Sequence, residues 1–449
     1  MLTTLKNAFK VKELRNRVLF VLGMLVVIRI GSQLPVPGVD GEVFKTWYLQ
    51  TVADAAGSFS FFDAITGGSF ERMAILALGI NPYITSSIIM QLMTIAIPKL
   101  EEMQNDGEDG RKKIASITRY VTVVLALIQS AAMVIGFGTQ NLLTVKHGES
   151  GYVFTMILAI AGLTAGSAFL MWIGERITEK GIGNGISVVL VINIVSRMPS
   201  DVASLFQQFV LQEGIAPATA VLAAIIIIGV IFGVIWMVVM LNDATRKIPV
   251  QYAKKMQGRK MVGGQTSNIP LKVNTAGVIP VIFASSILQL PLLVFTFLKV
   301  TPKTKVGTFV YNCMKSDNWC NPEVGLQYSL GLLVYVLLII FFAYFYTSIT
   351  FNPMMIADNM KKQGGFIPGI RPGKPTSDYL NKVLNYVIFI GAVGLTIVSV
   401  VPYVFNGIFH AKVSFGGTSL IIVVSVVLET LKQAESMMLV RNYKGFLQD

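Results

Sequence analysis

Ten long apolar windows alternate with short polar segments along the chain. Most of them approach the roughly 20 residues that a helix needs to cross a bilayer. Their length and their content of Leu, Ile, Val and Phe favour helices over the short alternating strands of a transmembrane barrel. The pattern predicts an all-α integral membrane protein with ten transmembrane helices. The predicted spans are 18–34, 75–97, 120–138, 152–173, 182–196, 217–241, 275–298, 328–349, 383–404 and 413–431.

The second and seventh windows are interrupted by Asn and Pro, at Asn81-Pro82 and between Asn274 and Pro280. A segment that loses backbone hydrogen bonds inside a bilayer needs polar partners in protein or in a water-filled cavity. Spans five and ten are also short between their flanking charges, so both features recur every five spans. The pattern predicts two five-helix halves, 1–200 and 201–449, inverted relative to each other because five is odd, with a path between them.

Composition and charge agree with a membrane protein. Hydrophobic residues make up 53% of the chain and charged residues 14%, against about 25% charged in soluble domains. The segments predicted to face inward hold 27 of the 37 Lys and Arg residues, which places both termini in the cytoplasm and accounts for most of the net charge of +13. The first window has no small-residue cleavage site and is therefore expected to be a retained helix. No single loop is long enough to build its own core.

The spans contain few groups that could do chemistry. Arg29 is the only ionisable residue deep in a predicted span, and Glu429 lies near the end of the last one. The sequence shows no phosphate-binding loop, no metal cluster and no nucleophile–base pair. We therefore expect no enzymatic activity, no metal and no cofactor, with any driving force supplied by a partner. A secondary solute transporter of inverted-repeat design is the alternative, although such transporters usually bury Asp, Glu, His or Lys in their spans.

The interrupted second span carries Ile80, Ile84 and Ile88 at four-residue spacing, on one face of a helix. A ring of aliphatic side chains at a constriction excludes water and ions, and such side chains can part around a passing chain. Ordinary packing between helices, or contact with lipid, is the competing interpretation of these isoleucines.

Small polar side chains also occur on the helices that would line a path. Hydrogen bonds between membrane helices average about 0.6 kcal/mol, weak enough for a ligand to replace them. Ordinary helix–helix contacts are the alternative. The residues concerned are Thr85, Gln91, Gln129 and Asn274.

The outer segment 58–70 is too apolar for a solvated linker and too short to cross the bilayer. It includes Phe61 and Phe62, and Gly67-Gly68 supply a possible hinge. A re-entrant segment fits this pattern, and an interfacial helix lying on lipid is the alternative.

Two inner loops, 242–273 and 351–382, are longer than the topology requires and combine basic residues with Gly and Pro. Such loops favour docking to an acidic protein or to RNA phosphates, and contact with the membrane surface is the competing interpretation. The basic residues expected to dock are Lys254, Arg259, Lys260, Arg371 and Lys374.

The only two cysteines, Cys313 and Cys320, fall in one outer loop. A disulfide is compatible with that compartment, and two free thiols are equally compatible with the sequence.

Several stretches of the chain closely resemble the SecY family, whose members are the central subunits of bacterial protein-conducting channels. These stretches are distributed over nearly the whole length, and only the outer loop Lys299 to Val324 does not align. They are Phe20 to Asp40, Ala77 to Gln91, Gly110 to Tyr120, Met171 to Ser187, Asn274 to Ser286, Phe351 to Lys374 and Gly416 to Val424.

The resemblance implies a clamshell of ten helices in two halves around a central pore, which is closed by an aliphatic ring. Leu190 stands where the family has isoleucine, a change that keeps the seal apolar. The ring residues implied are Ile80, Ile84, Ile186, Leu190, Ile282 and Ile422.

The resemblance also assigns roles to the other features. Segment 58–70 is expected to be a plug, and the seam between spans two/three and seven/eight is expected to be a lateral gate with Thr85, Gln91, Gln129 and Asn274 in its polar cluster. The implied function is a passive channel in the bacterial plasma membrane that moves unfolded polypeptides and releases apolar segments into lipid. The implied partners are SecE, SecG, the SecA motor, the ribosome, signal peptides, secretory substrates and lipids.

Overall fold

The computed structural model describes residues 11–54, 63, 65–140, 142–145, 148–211, 217–252, 255–257, 260–262, 266–297, 304–322, 325–409 and 417–445. In this part of the chain a helix overlaps every one of the ten predicted windows. These helices are α1 (Lys12–Gly31), α3 (Asn81–Ala96), α5 (Glu108–Thr139), α6 (Tyr152–Lys180), α7 (Gly185–Phe209), α8 (Pro217–Asp243), α9 (Ile279–Phe297), α11 (Leu330–Thr350), α13 (Lys374–Phe409) and α14 (Gly417–Gly445).

Four further helices lie between the predicted spans. None of the four was predicted. Helices α2 and α10 fold part of the loops between predicted spans one and two and between predicted spans seven and eight. Short helices α4 and α12 follow α3 and α11 directly. The four are α2 (Gly41–Asp54), α4 (Pro98–Asn105), α10 (Lys305–Met314) and α12 (Pro353–Lys362).

By length and composition, six helices of the described structure can cross a membrane, or seven if the pair α3–α4, bent by 107°, forms one span. The chain is therefore a multi-pass membrane protein with an all-α membrane fold. Helix α1 is less apolar than these six helices because it carries Arg15, Arg17 and Arg29. Helix α7 continues to Phe209 and so crosses the predicted boundary at 200/201.

The two prolines of the interrupted windows lie at the starts of helices. Pro82 and Pro280 are the second residues of α3 and α9, where a missing N–H costs no intrahelical hydrogen bond. The apolar residues before each proline form turns. Each interrupted window thus begins with a short non-helical stretch and continues as a helix.

Helices pack mostly with neighbours in sequence. Helices α3, α5, α6 and α7 form one chain of contacts, and α9, α11, α13 and α14 form another. Between these groups, α5 contacts α9 on one side, while α7 contacts α8 and α14 on the other.

The two long loops 242–273 and 351–382 fold together, and the small core that they share belongs to neither loop alone. Strand β1 (Thr245–Tyr252) pairs antiparallel with β4 (Thr266–Lys272) and with β5 (Gly365–Phe366) from the other loop. The short strands β2 (Lys255–Gln257) and β3 (Lys260–Val262) pair with each other beyond β1. The sheet covers a small core to which both loops and α13 contribute, composed of Ile248, Val250, Leu271, Met360, Ile367 and Leu380.

Candidate pore, seam and plug

All six predicted ring residues lie in one hydrophobic cluster that draws on both groups of helices. Ile80, Leu190 and Ile422 are buried, with exposed fractions of 1%, 5% and 2%. Ile84, Ile186 and Ile282 are half-buried and pack against the same cluster. Burial removes lipid contact as the explanation for Ile80, Leu190 and Ile422. The action of the six residues as a ring stays a prediction.

Two contacts position the start of α7, namely the Asn184 N-cap and the close approach of Gly185 to α6. The Asn184 side chain accepts hydrogen bonds from the amides of Ile186 and Ser187, as an N-cap residue does. A Cβ on Gly185 would lie 1.9 Å from the Gly174 carbonyl oxygen on α6, so only glycine fits there. These two contacts fix the first turn of α7, which brings Ile186 and Leu190 into the cluster.

Helix α3 also faces the second group of helices. Its Ile88 packs against the large core formed by α8, α9, α11, α13 and α14, and the next helix, α5, contacts α9. A seam therefore runs between α3/α5 and α9, at the place where the lateral gate is predicted.

The predicted gate residues do not share one set of hydrogen bonds in the described structure. The Thr85 hydroxyl donates to the Asn81 carbonyl at 3.0 Å and the Gln91 amide to Ser87 at 3.4 Å, both within α3. Gln129 is half-buried on α5. Asn274 instead donates to the Asn242 side-chain oxygen at 2.8 Å. The assignment of the four residues to one lateral gate stays a prediction.

Asn242, which the sequence did not single out, links three parts of the chain. Its side-chain oxygen accepts from Asn274, and its amide donates to the Ser425 hydroxyl at 2.8 Å. This chain of hydrogen bonds ties the end of α8 to the turn before α9 and to α14. It stabilises contacts inside the second group of helices rather than across the seam.

The described part of the predicted plug is buried. Phe61 and Phe62 lie outside the described residues, whereas Asp63 and residues 65–70 are all buried. Phe70 packs edge-on against Phe44 of α2, with ring centroids 5.7 Å apart. An interfacial helix lying on lipid would expose one face, so this part of the segment is not such a helix.

Gly67 and Gly68 both have positive φ, at +68° and +79°. A Cβ on Gly67 would meet the Asn193 Cα of α7 at 2.9 Å. Gly67 is thus required by a close approach of the segment to α7, and its predicted role as a hinge stays a prediction.

A charge cluster holds the same segment against α7. Arg197 forms an ion pair with the fully buried Asp63, and its guanidinium also contacts the Glu71 carboxylate at 2.7 Å. The Glu71 amide donates to the Asp63 carboxylate at 3.0 Å. Asp63 lies between the predicted spans, and burial raises the pKa of its carboxyl to about 6, against the opposing effect of Arg197.

Arg29, predicted to lie alone in a span, has partners on both sides. Its guanidinium donates to the Gly67 carbonyl at 3.2 Å and to the Ser196 hydroxyl of α7 at 3.0 Å. A cation from α1 thus contacts the segment at the position where Gly67 meets α7.

The predicted docking residues are described only in part. Lys254 and Arg259 lie outside the described residues, and Lys260 begins strand β3. Arg371 on the loop before α13 and Lys374, the first residue of α13, are exposed. The Thr376 hydroxyl of α13 donates to the Arg371 carbonyl at 2.8 Å. Cys313 and Cys320, left open by the sequence, are free thiols.

Comparison with known proteins decides the family. The SecY family profile matches residues 74–431. The protein translocase subunit SecY of Streptomyces coelicolor is 42% identical over 456 residues, with 100% of both chains covered. The chain belongs to the SecY family. The SecY protein translocase subunit of Halalkalibacterium halodurans is likewise 42% identical over 461 residues, again with 100% of both chains covered.

Solved channel structures share the fold of this SecY family member. "The structure of a protein conducting channel" superposes with a TM-score of 0.59 at 18% identity, covering 94% of this chain and 91% of that chain. "Sec61 in the Canine ribosome-channel complex from the endoplasmic reticulum" superposes with a TM-score of 0.57 at 17% identity and the same coverage. At these identities the likeness establishes the fold.

Sequence reasoning missed the charge cluster of this SecY family chain. The sequence pattern puts Arg197 at the end of a short fifth span, whereas it lies within the continuous helix α7. The available signal was an isolated Arg after a long apolar stretch, together with Asp63 and Glu71 in an otherwise apolar loop. Buried charges are normally paired, so these acids and this base were candidates for each other.

Proposed function

We propose that the chain is the pore-forming subunit of a protein translocase. It is a passive channel that moves unfolded secretory polypeptides across the bacterial plasma membrane and releases hydrophobic segments sideways into lipid. It is not an enzyme, and translocation is driven by translation or by a cytoplasmic motor ATPase.

One observation carries this proposal, namely the single cluster that collects all six aliphatic ring residues between the two groups of helices. A packed aliphatic constriction resists water and ions because they lose hydration in it. The same side chains form no rigid polar site, so a polypeptide of any sequence can displace them. The 42% identity to proteins named protein translocase subunit SecY supports this function. The competing solute transporter receives no support from the relatives or from the shared fold.

The proposed opening begins at the seam. The apolar region of a signal sequence, of about 7–15 residues, replaces contacts such as those of Ile88 between α3 and the second group of helices. Because the signal sequence binds the open arrangement more tightly than the closed one, it shifts the closed–open equilibrium towards the open channel. The halves 1–200 and 201–449 then separate, with Thr85, Gln91, Gln129 and Asn274 along the gate, and the plug 58–70 leaves the path.

The proposed topology is an inverted repeat with both termini in the cytoplasm. The sheet of the inner loops, with the basic tip around Lys254, Arg259 and Lys260 and the loop carrying Arg371 and Lys374, then faces the cytoplasm. This surface is proposed to receive the ribosome or the SecA motor, as expected from its charge. A ribosome partner is supported by the shared fold with Sec61, which was solved in a ribosome–channel complex. SecE and SecG are the proposed membrane partners.

Photocrosslinking of a stalled secretory chain tests the function directly. A photoreactive residue at Ile84 or Ile282, in the proposed constriction, is expected to crosslink to the stalled chain. The matched control is Ile225 on α8, which is 66% exposed and is expected to crosslink to lipid instead. Equal crosslinking from all three positions, or none from Ile84 and Ile282, contradicts a path through the cluster.

A further inference from the structure

The segment 63–71 is attached to the helices around it at three points spaced four residues apart. Asp63 at one end and Glu71 at the other both pair with Arg197 of α7. Between them, the Gly67 carbonyl accepts from Arg29 of α1. The Arg197 guanidinium therefore binds both ends of the segment to one turn of α7.

In the described structure, Arg197 is the one cation among the charged groups that act on the Asp63 carboxylate. Arg197 is the cation shared by two carboxylates, and Asp201, one turn further along α7, adds a third negative charge to the surroundings of Asp63. Asp63 is fully buried, and the Arg197 and Glu71 side chains are 21% and 24% exposed. Water therefore screens these charges poorly.

Loss of the cation and loss of one carboxylate have different consequences. Without Asp63 the Arg197–Glu71 contact at 2.7 Å remains, and the charges of these two groups still cancel. Without Arg197, Asp63 and Glu71 are left close together, beside Asp201, with no cation between them. A buried charge that loses its counterion is strongly destabilised, whereas neutral replacement of a whole buried ion pair is often tolerated.

We propose that Arg197 is the anchoring cation of the plug, a positioning residue that holds segment 63–71 in the closed channel by neutralising both of its ends. Its removal releases the segment, whereas removal of Asp63 alone does not. This inference rests on the proposed channel function, because it assigns the residue that keeps the path closed.

Thiol labelling of the plug tests the proposal on the full-length chain, reconstituted in proteoliposomes with its co-purifying membrane partners. A reporter cysteine is placed at Ser69, which is 1% exposed, in a background carrying Cys313→Ser and Cys320→Ser. The measured quantity is the rate at which a membrane-impermeant maleimide labels this cysteine. Arg176→Gln, which removes the exposed Arg176–Glu179 pair on α6, is the matched control.

The expected order of labelling rates follows from the charge balance. Arg197→Gln is expected to label at least about tenfold faster than the parent, and Asp63→Asn and Arg176→Gln to stay within about threefold of it. The triple variant Asp63→Asn/Glu71→Gln/Arg197→Gln is expected to return to within about threefold of the parent, because Asp63 and Glu71 lose their charges together with the guanidinium that pairs with them. This rescue separates charge imbalance from general misfolding, since misfolding caused by loss of the Arg197 side chain would persist in the triple variant.

Two results overturn the proposal. One is an Arg197→Gln variant that labels as slowly as the parent. The other is a triple variant that labels as fast as Arg197→Gln. Labelling does not depend on transport, so such a failure leaves the channel function untouched. Failure of the crosslinking test at Ile84 and Ile282, with the labelling order intact, instead contradicts the channel and leaves Arg197 as the anchor of the segment.

Discussion

Gly79 and Gly277 adopt the same left-handed backbone conformation, with φ of +61° and +64°, each three residues before the proline at the start of α3 or α9. The turn that follows is also repeated. The Ile84 amide donates to the Ile80 carbonyl at 3.1 Å, and the Ile282 amide donates to the Val278 carbonyl at 3.2 Å. Ile84 and Ile282 therefore occupy equivalent positions after the same turn, as a structural repeat requires.

Alanine at these two glycines is expected to destabilise the protein to different degrees. The left-handed conformation costs a residue with a Cβ about 1–2 kcal/mol at either position. At Gly79 the new Cβ would also approach Thr66 Cγ2 of the plug segment at 3.1 Å, whereas nothing lies within 4 Å at Gly277. Thermal unfolding in detergent should therefore show a larger loss for Gly79→Ala than for Gly277→Ala.

The control for this comparison is Gly229→Ala in α8, where the site is open and no positive φ is needed. It is expected to leave the unfolding temperature unchanged or slightly higher. A Gly277→Ala variant as stable as Gly229→Ala would show that the left-handed turn is not required.

The Asn242 network is expected to behave as a coupled unit. Asn242→Ala removes the bonds to Asn274 and Ser425, whereas Asn274→Ala removes only one of them. Each substitution should lower the free energy of unfolding by about 0.6–2 kcal/mol. In a double-mutant cycle measured by thermal unfolding, the paired variant should lose less than the sum of the single variants. If the two losses of unfolding free energy were strictly additive, a direct contact between Asn242 and Asn274 would be contradicted.

The closed channel is expected to become less stable as pH rises through about 6, because burial raises the pKa of Asp63 to about 6 in the closed arrangement. In the released plug the carboxyl is solvated and returns to its ordinary pKa near about 3.9. The closed state therefore binds the Asp63 proton more tightly than the open state does. The resulting stabilisation of the closed state is complete below about pH 4 and is lost above about pH 6. The other titratable groups that act on Asp63 are Arg197, Glu71, Asp201 and Tyr48.

Planar-bilayer recording tests the direction of this pH dependence. The frequency of spontaneous opening should increase between about pH 5 and about pH 7.5 in the parent channel and should be flat in Asp63→Asn, which carries no titrating group at this position. More frequent opening on acidification in the parent would refute the assignment to Asp63.

The sheet formed by β1, β4 and β5 is expected to depend on its small shared core. Leu380 on α13 is fully buried in that core, and Leu380→Ala should cost about 2–5 kcal/mol. Limited proteolysis of the segment between β1 and β4 should then proceed faster. Met355→Ala on α12, where the side chain is 58% exposed, should leave cleavage unchanged, and equal cleavage of both variants would contradict a shared core.

The sequence predicted the features that depend on local patterns. Long apolar windows predicted the helices because burial in lipid requires a continuous apolar stretch. Pro82 and Pro280 marked the starts of α3 and α9, since proline lacks the donor that a helix interior needs. The resemblance to the SecY family selected six residues that the structure does bring into one cluster.

The features that the sequence did not reveal depend on contacts between distant segments. Ile248 and Leu380 share a core only because β1 pairs with β5 from another loop, and no periodicity in either loop records that pairing. Asp63 and Arg197 meet because Gly67 allows close approach to α7. The family resemblance assigns Asn274 to the seam, whereas its amide has a nearer partner in Asn242.

The resting ion conductance of an Ile84→Gly channel, compared with Ile225→Gly, tests the seal most directly. Both substitutions remove the same side chain from a helix, but Ile84 packs in the central cluster and Ile225 is 66% exposed on α8. Conductance is expected to rise severalfold for Ile84→Gly and for Ile282→Asn and to stay unchanged for Ile225→Gly. Unchanged conductance in Ile84→Gly and Ile282→Asn would contradict an aliphatic seal at this cluster.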